Sequence, residues 1–283
     1  MKKRFPFKIG APSELYPMRH VLDNVRLLAR EVDFIELTLE YPLELPLTDE
    51  ILNNLRRQKD DTGIEYSIHL PVFCQLASPN PRVREASLAT LEEVFERTAC
   101  LKPLSYAMHV DPMTIPGSTP LGYVFDAVMT HRHVMPRIRD SLRRVSEMTD
   151  ASRVGVENID GNYGNLYCNI DLIAPFIEEF GFSICMDVGH LIRHEQDPRI
   201  FFMKYYNRIN AIHLHDVVEG KNHRLIGHPA CKLDLRTFLA LLLEQGYRDH
   251  IVLEVFDPNH LNSSKEALQM AWTELVETYK YSV

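Results

Sequence analysis

Tyr66-Ser67-Ile68-His69 is a short strand-like run closed by an imidazole, and the same pattern returns five more times in chain order. The later segments are Ala107-Met108-His109, Val154-Gly155-Val156-Glu157, Ile184-Cys185-Met186-Asp187, Ala211-Ile212-His213 and Ile251-Val252-Leu253-Glu254. Buried parallel strands are near-continuous apolar runs, so a charged or imidazole residue closing each one needs a reason. A single case is explained by a satisfied core histidine or an ion pair. A whole set at corresponding strand ends predicts a ring of ligands around a common point.

Outward from these runs, short apolar segments alternate with amphipathic ones along the whole chain. Strands are predicted at Phe7–Ala11, Phe34–Leu37, Glu65–Leu70, Ser105–Val110, Arg153–Glu157, Ser183–Asp187, Ala211–Leu214 and Ile251–Val255. Between them, apolar spacings of three and four predict helices at Val21–Glu31, Asp49–Lys59, Val83–Cys100, Tyr123–Met148, Leu172–Phe180, Pro198–Tyr206, Leu235–Glu244 and Lys265–Tyr279. Ser78-Pro79-Asn80-Pro81 marks a stop before the third helix, and Gly246 closes the seventh. This β-then-α alternation without a composition break predicts one domain over residues 1–283. Its fold class is α/β, a (β/α)8 TIM barrel with a metal site at the C-terminal face of the strands. The competing open sheet would carry a Gly-rich phosphate loop after its first strand, which Gly10-Ala11-Pro12-Ser13 is not.

Strand parity gives the ring its direction. Side chains alternate across a strand, so Ile212 and Leu214 share one face while His213 and His215 share the other. Ile68 and Leu70 likewise oppose His69, and Val154 and Val156 oppose Glu157. The apolar set must face the surrounding helices, so the ligand-type residues point into the barrel mouth.

Composition narrows the function. The 283 residues are 45% hydrophobic and 25% charged, an ordinary globular balance. A net charge of −8 disfavours DNA as a partner, because nonspecific binding rests on Lys and Arg neutralising phosphates. The five cysteines lack framework spacing, which predicts reduced thiols and a cytoplasmic setting. The basic start Met-Lys-Lys-Arg is followed by Pro6, Lys8 and Gly10, which interrupt a signal-peptide core, and no apolar run reaches the ~20 residues of a membrane span.

Three carboxylates (Glu157, Asp187, Glu254) and three imidazoles (His69, His109, His213) converging on one mouth would repel unless cations sit among them. Mixed imidazole and carboxylate ligands suit Zn2+, with Mn2+ or Fe2+ as alternatives. A second layer follows in His190, in His215 and Asp216, and in the loop bearing His223, Arg224 and His228. His215 and His228 are expected to be ordinary polar residues of a barrel-mouth loop. His194, His131 and His133 are expected on the surface, and Arg82, Arg84 and the run Arg137–Arg144 on solvated helix faces. Asp33, Glu36 and Glu40 surround the second strand, and Glu36 has the parity to meet either substrate or a basic partner in the interior.

The order His69, His109, Glu157, Asp187-x-x-His190, His213-x-x-Asp216, His223, Glu254 resembles the xylose-isomerase-like barrel superfamily that contains the type IV AP endonucleases. The resemblance spans essentially the whole chain, and the turn Leu76-Ala77-Ser78-Pro79 also looks like that of the endonucleases. Several stretches look closest to the cobamide-remodelling hydrolases: Ile68-His69-Leu70-Pro71, Ser78-Pro79-Asn80-Pro81, Cys185-Met186-Asp187-Val188-Gly189-His190-Leu191 and Ile212-His213-Leu214-His215. Tyr16-Pro17, Asn24-Val25-Arg26 and Val32-Asp33-Phe34-Ile35-Glu36-Leu37 fit the same group.

The endonuclease pattern implies one metal on His69, His109 and Glu157, and a second on Glu157, Asp187, His213 and Glu254. A third would use His190 and an Asp-x-His pair, but the pair here reads Lys221-Asn222-His223. His190 and His223 are then left either to bind a phosphate or to share a ligand set with Asp216. The resemblance implies a two-metal hydrolase that cleaves a phosphoester at a phosphorylated ribose, with a cobamide nucleotide loop as substrate. Glu157, Glu254 and His190 are its catalytic candidates, and His223, Arg224 and Glu36 its substrate-binding candidates. The alternative is a sugar or sugar-phosphate isomerase or epimerase, which uses one metal on Glu157, Asp187, His213 and Glu254 and has no need of His69 and His109. An AP endonuclease is a further alternative.

Overall fold

The computed structural model describes residues 4–16, 20–39, 47–110, 134–159 and 170–280. The apolar runs pair side by side as parallel strands: β1 (Lys8–Pro12), β2 (Phe34–Thr38), β3 (Glu65–His69), β4 (Tyr106–Met108), β5 (Val154–Glu157), β6 (Ser183–Asp187), β7 (Ile209–Leu214) and β10 (His250–Leu253). They close into a barrel in the order β1-β10-β7-β6-β5-β4-β3-β2. With flanking helices this is a (β/α)8 TIM barrel, as the alternation predicts.

The helices are α1 (Val21–Leu28), α2 (Asp49–Thr62), α3 (Pro81–Thr98), α4 (Met135–Met148), α5 (Ile170–Phe180), α6 (Val188–Arg193), α7 (Pro198–Tyr205), α8 (Leu235–Glu244) and α9 (Pro258–Lys280). Their ends follow local chemistry. Asn80 caps α3 by accepting from the Arg82 N–H at 3.0 Å, and Pro81 occupies the first turn, where its missing N–H costs nothing. Thr48 caps α2, and Gly63 ends it at φ 76°, a left-handed conformation that glycine adopts without strain. Residues before 134 in the predicted helix Tyr123–Met148, together with Glu40, His131, His133 and Cys168, lie outside the described residues.

Two elements go beyond what the sequence pattern predicts. α6 is only six residues long, too short for a helical period to show. The segment after β7 folds back as an antiparallel hairpin of β8 (Asp216–Val218) and β9 (Lys221–Arg224), where the sequence suggests a loop. Its turn residues Glu219 and Gly220 have φ of 53° and 73°, the pair of positive angles that a tight primed turn requires.

Register sets the ligand residues at nearly one level. His69 pairs with Thr38 on one side and Ala107 on the other, Glu157 with Cys185, and Asp187 and Val252 each with His213. One pleat below His109, Asp187 and His213, the small residues Ala107, Cys185 and Ala211 pack against one another. Gly155 shares the inward parity of Glu157. A Cβ there would lie 2.6 Å from Asn210 Oδ1 and 2.8 Å from the backbone N of Cys185.

That close approach makes Gly155 a test of the interior packing. Gly155→Ala should lose about 1–3 kcal/mol, the usual cost of forcing atoms into a packed core. It would appear as a lower urea midpoint at unchanged slope, and an unchanged midpoint would show that the strands have room to separate.

Candidate metal centre

The sequence order brings His69, Glu157 and Asp187 to the last positions of β3, β5 and β6, and His109 and Glu254 to the residues just after β4 and β10. His213 is the penultimate residue of β7. Apart from His109, which keeps 17% side-chain exposure, all of them are buried.

The closest approaches are mixed pairs. Glu157 Oε2 lies 3.4 Å from His69 Nε2, 3.3 Å from His109 Nε2 and 3.6 Å from His213 Nδ1. His213 Nδ1 is also 3.5 Å from Glu254 Oε2 and 3.9 Å from Asp187 Oδ2. These spacings are long for hydrogen bonds. Ligands held at ~2.0–2.1 Å in a tetrahedron stand roughly 3.3–3.4 Å apart, so the spacings match the edges of a coordination shell.

Orphaned atoms point the same way. His109 Nε2, Glu157 Oε2, His213 Nδ1 and Glu254 Oε2 are all buried without a hydrogen-bond partner. A buried polar atom left unpaired costs about 1–3 kcal/mol. Four such atoms facing a common space fit a divalent cation as the missing partner. His69, His109 and Glu157 form one group with ligand atoms within 4.8 Å of one another, as do His69, His213 and Glu254.

Outer hydrogen bonds decide which ring nitrogen is free. His69 Nδ1 donates to Leu70 O at 3.0 Å, leaving Nε2 as the lone pair toward Glu157. His213 Nε2 donates to the Glu36 carboxylate at 3.2 Å, leaving Nδ1 toward the other carboxylates. His190 Nδ1 donates to Asn158 O at 3.0 Å and lies 3.5 Å from both Glu157 Oε1 and Asp187 Oδ2. Metal-bound histidines are ordinarily oriented by such a partner on the second nitrogen.

The charges are strongly coupled. Burial pulls the His69 imidazole down, but the Glu157 carboxylate beside it pushes it up to about 9. Burial likewise opposes charging of His213, and the surrounding carboxylates hold it well above its usual value. Burial would raise Glu157, yet the charges of His213 and His109 keep it well below the carboxylate range. The ring therefore carries ionised carboxylates and needs positive charge among them, from protons or from cations.

Several residues do not sit where the sequence suggests. Glu36 is 1% exposed and lies behind His213, with its second oxygen accepting from Ser67 Oγ at 3.1 Å. It meets a basic partner rather than the mouth. Asp216 does not stand in as a ligand: its carboxylate accepts from the backbone N–H groups of Val217, Lys232 and Leu233 at 2.7, 3.1 and 3.0 Å. Lys221 is exposed at the start of β9, and Arg224 is partly exposed at its end.

His215 is not an ordinary loop residue. It is fully buried, its Nδ1 accepts from the His223 N–H at 3.1 Å, and its Nε2 lies 3.1 Å from Asp187 Oδ2. Its ring rests on Gly189, where an added Cβ would come within 1.9 Å of it. His190, His215 and His223 form a three-imidazole group. With Nδ1 accepting and Nε2 donating to Asp187, however, His215 is committed as a donor and is not placed to ligate. Its parity with His213 is the signal available in the sequence.

Asn158 gives no signal at all in the sequence. Its side chain donates to Asp187 O and accepts from Asp187 N, both at 2.8 Å, and so ties the end of β5 to the end of β6. His223 has φ of 54°, costly for a non-glycine residue, and its ring is wedged between His215 and Phe256.

The sequence profile of the family described as "Xylose isomerase-like TIM barrel" matches residues 26–274, and the chain belongs to that family. No curated protein gives a significant match. Among solved structures, a D-tagatose 3-epimerase-like protein superposes with a TM-score of 0.80 at 21% identity, covering 96% of this chain and 99% of its own. An L-ribulose 3-epimerase gives 0.74 at 17%, over 97% and 96%. Endonuclease IV from Thermus thermophilus gives 0.68 at 16%, over 94% and 99%. At these identities the likeness is one of fold.

If the orphaned atoms are ligands, free Zn2+ at about a hundred times its Kd should stabilise the protein by about 2.7 kcal/mol. The shift should vanish in Glu157→Ala, read by thermal melts with and without chelator. Cation binding must displace protons from imidazoles such as His69, so affinity should rise as pH climbs through about 9. An equal Zn2+ shift in Glu157→Ala would place the cation elsewhere.

Proposed function

We propose that this member of the xylose isomerase-like TIM barrel family is a divalent-metal enzyme acting on a sugar or sugar phosphate, and that it is an epimerase or isomerase. The observation that carries this is the approach of both Glu157 and Glu254 to His213 Nδ1, at 3.6 and 3.5 Å, each with an oxygen buried and without a hydrogen bond. Paired carboxylates of this kind can take a proton from the carbon beside a carbonyl and return it. Support also comes from the structural neighbours, which include the L-ribulose 3-epimerase, the D-tagatose 3-epimerase-like protein and a D-psicose 3-epimerase. They back this chemistry better than they back hydrolysis.

In this reading Glu157, Asp187, His213 and Glu254 hold the cation, with Zn2+ the first candidate and Mn2+ or Fe2+ the others. The bound ion supplies Lewis-acid polarisation of a substrate oxygen. One of Glu157 and Glu254 removes the proton, and the other delivers it. His190, oriented by Asn158 O, and His223, at the rim with Arg224, are placed to bind substrate oxygens.

A second reading, hydrolysis of a phosphoester at a phosphorylated ribose, is favoured by one specific observation. His69 and His109 converge on Glu157 Oε2, and the buried His109 Nε2 has no hydrogen bond. Proton transfer between two glutamates makes no use of that pair. A second cation held there would share Glu157 with the first, the arrangement suited to in-line displacement at phosphorus. Asp187 and Glu254 would then orient the attacking water, and His190 and His223 would face the charge developing on the phosphate. The cobamide nucleotide loop as substrate rests on the sequence stretches alone.

Bound cations and solvent isotope separate the two readings. Metal-loaded protein should be incubated in D2O with a panel of ketoses, sugar phosphates, a cobamide and abasic-site DNA. Epimerisation or isomerisation predicts one cation per chain and deuterium on carbon in the product. Hydrolysis predicts two cations and two fragments whose masses together exceed that of the substrate by one water, with no carbon-bound deuterium. A chain that binds no cation would remove both.

A further inference from the structure

Glu36 is the one buried carboxylate of the described barrel interior that neither chemistry uses. It sits on β2, and His213 sits on β7, three strands away round the closed barrel. The carboxylate therefore reaches across the interior. Its Oε1 lies 3.2 Å and its Oε2 3.4 Å from His213 Nε2, and Oε2 also accepts from Ser67 Oγ, its register neighbour on β3. At 1% exposure and with both oxygens engaged, it has no surface left for a substrate.

The contact fixes a choice that His213 must otherwise make alone. An imidazole can carry its proton on either nitrogen, and only the unprotonated one can ligate. A carboxylate on Nε2 keeps the proton there and turns Nδ1 toward Glu157, Asp187 and Glu254. It also makes Nδ1 a stronger donor of its lone pair. Ser67 holds the carboxylate in place, so the chain Ser67–Glu36–His213 is rigid as far as the ligand atom.

We propose that Glu36 is a positioning residue of the metal centre, holding His213 in the one tautomer and orientation that can ligate and so setting the cation affinity of the ring. The inference rests on the ring being a cation site, and it is independent of which chemistry the cation serves.

The test uses the full-length protein and Zn2+ alone, titrated against a chromophoric chelator. Glu36→Gln keeps an acceptor for His213 but loses the charge, and should weaken Zn2+ binding about tenfold. Glu36→Leu removes the acceptor and should approach the roughly hundredfold end of the range known for such partners. Nitrogen-15 spectra of the Zn2+-loaded protein should show the His213 proton confined to Nε2 in the wild type and redistributed in Glu36→Leu. If Glu36→Leu fails to fold, Glu36→Gln carries the measurement. Wild-type Zn2+ affinity in a folded Glu36→Gln protein would overturn the inference and leave the metal centre standing. Absence of Zn2+ binding in the wild type would overturn both.

Discussion

The described residues at the C-terminal end of this barrel answer one electrostatic constraint: Glu36, Glu157, Asp187 and Glu254 are all buried close together. Carboxylates a few ångström apart in a water-poor interior repel strongly, and burial alone would drive each toward its neutral form. Here Glu36, Glu157 and Asp187 are instead held below their ordinary values, because an imidazole stands beside each one. His213 touches the spheres of all four, and His215 backs Asp187 from behind. Apolar residues of similar volume would stabilise the barrel as well or better than such a charged set. The ring is therefore read as a device for binding positive charge.

The packing around the ring serves its spacing. Ala107, Cys185 and Ala211 pack together under the ligands, and Gly155 lets β5 approach β6 closely, in the register that pairs Glu157 with Cys185. Asn158 then locks those two strand ends with a pair of 2.8 Å bonds. Gly189 gives up its side chain so that the His215 ring can lie against the backbone. The barrel thus fixes ligand positions through backbone contacts rather than through the ligands' own flexible side chains.

Much of this is legible in the chain because two signals coincide: apolar runs that define strands, and polar residues of fixed parity that close them. Those signals locate His69, Glu157 and Asp187 to the residue and His109, His213 and Glu254 to within one. What stays hidden depends on contacts between strands remote in sequence. Parity turns Glu36 inward, but its crossing to His213 is set by barrel closure, which no local pattern encodes. Asn158 looks like any loop residue until β6 lies beside it. His215 reads as a loop residue because it stands just past a strand, although its parity matches His213 and the structure buries it. The hairpin turn at Glu219-Gly220 is half signalled, since only its second residue is glycine.

The hairpin also bears on the third ligand set that the resemblance to the endonucleases implies. Asp216 is used up in holding the backbone of Val217, Lys232 and Leu233, and the position of the missing aspartate is an exposed lysine at the base of β9. The imidazoles of His215 and His223 stack at 4.3 Å in the space that remains. His215, drawn back to Asp187, acts on the ring from behind and leaves the partly exposed His223 at the rim. The question of function then contracts to Glu157. Its Oε1 faces His190, while its Oε2 faces His69, His109 and His213 at once. If Oε2 serves only the cation beside His213, His69 and His109 are outer supports of a proton-transfer site. If it is shared between two cations, the same carboxylate becomes the bridge of a hydrolytic one. A single oxygen, placed by one strand end, separates the two chemistries.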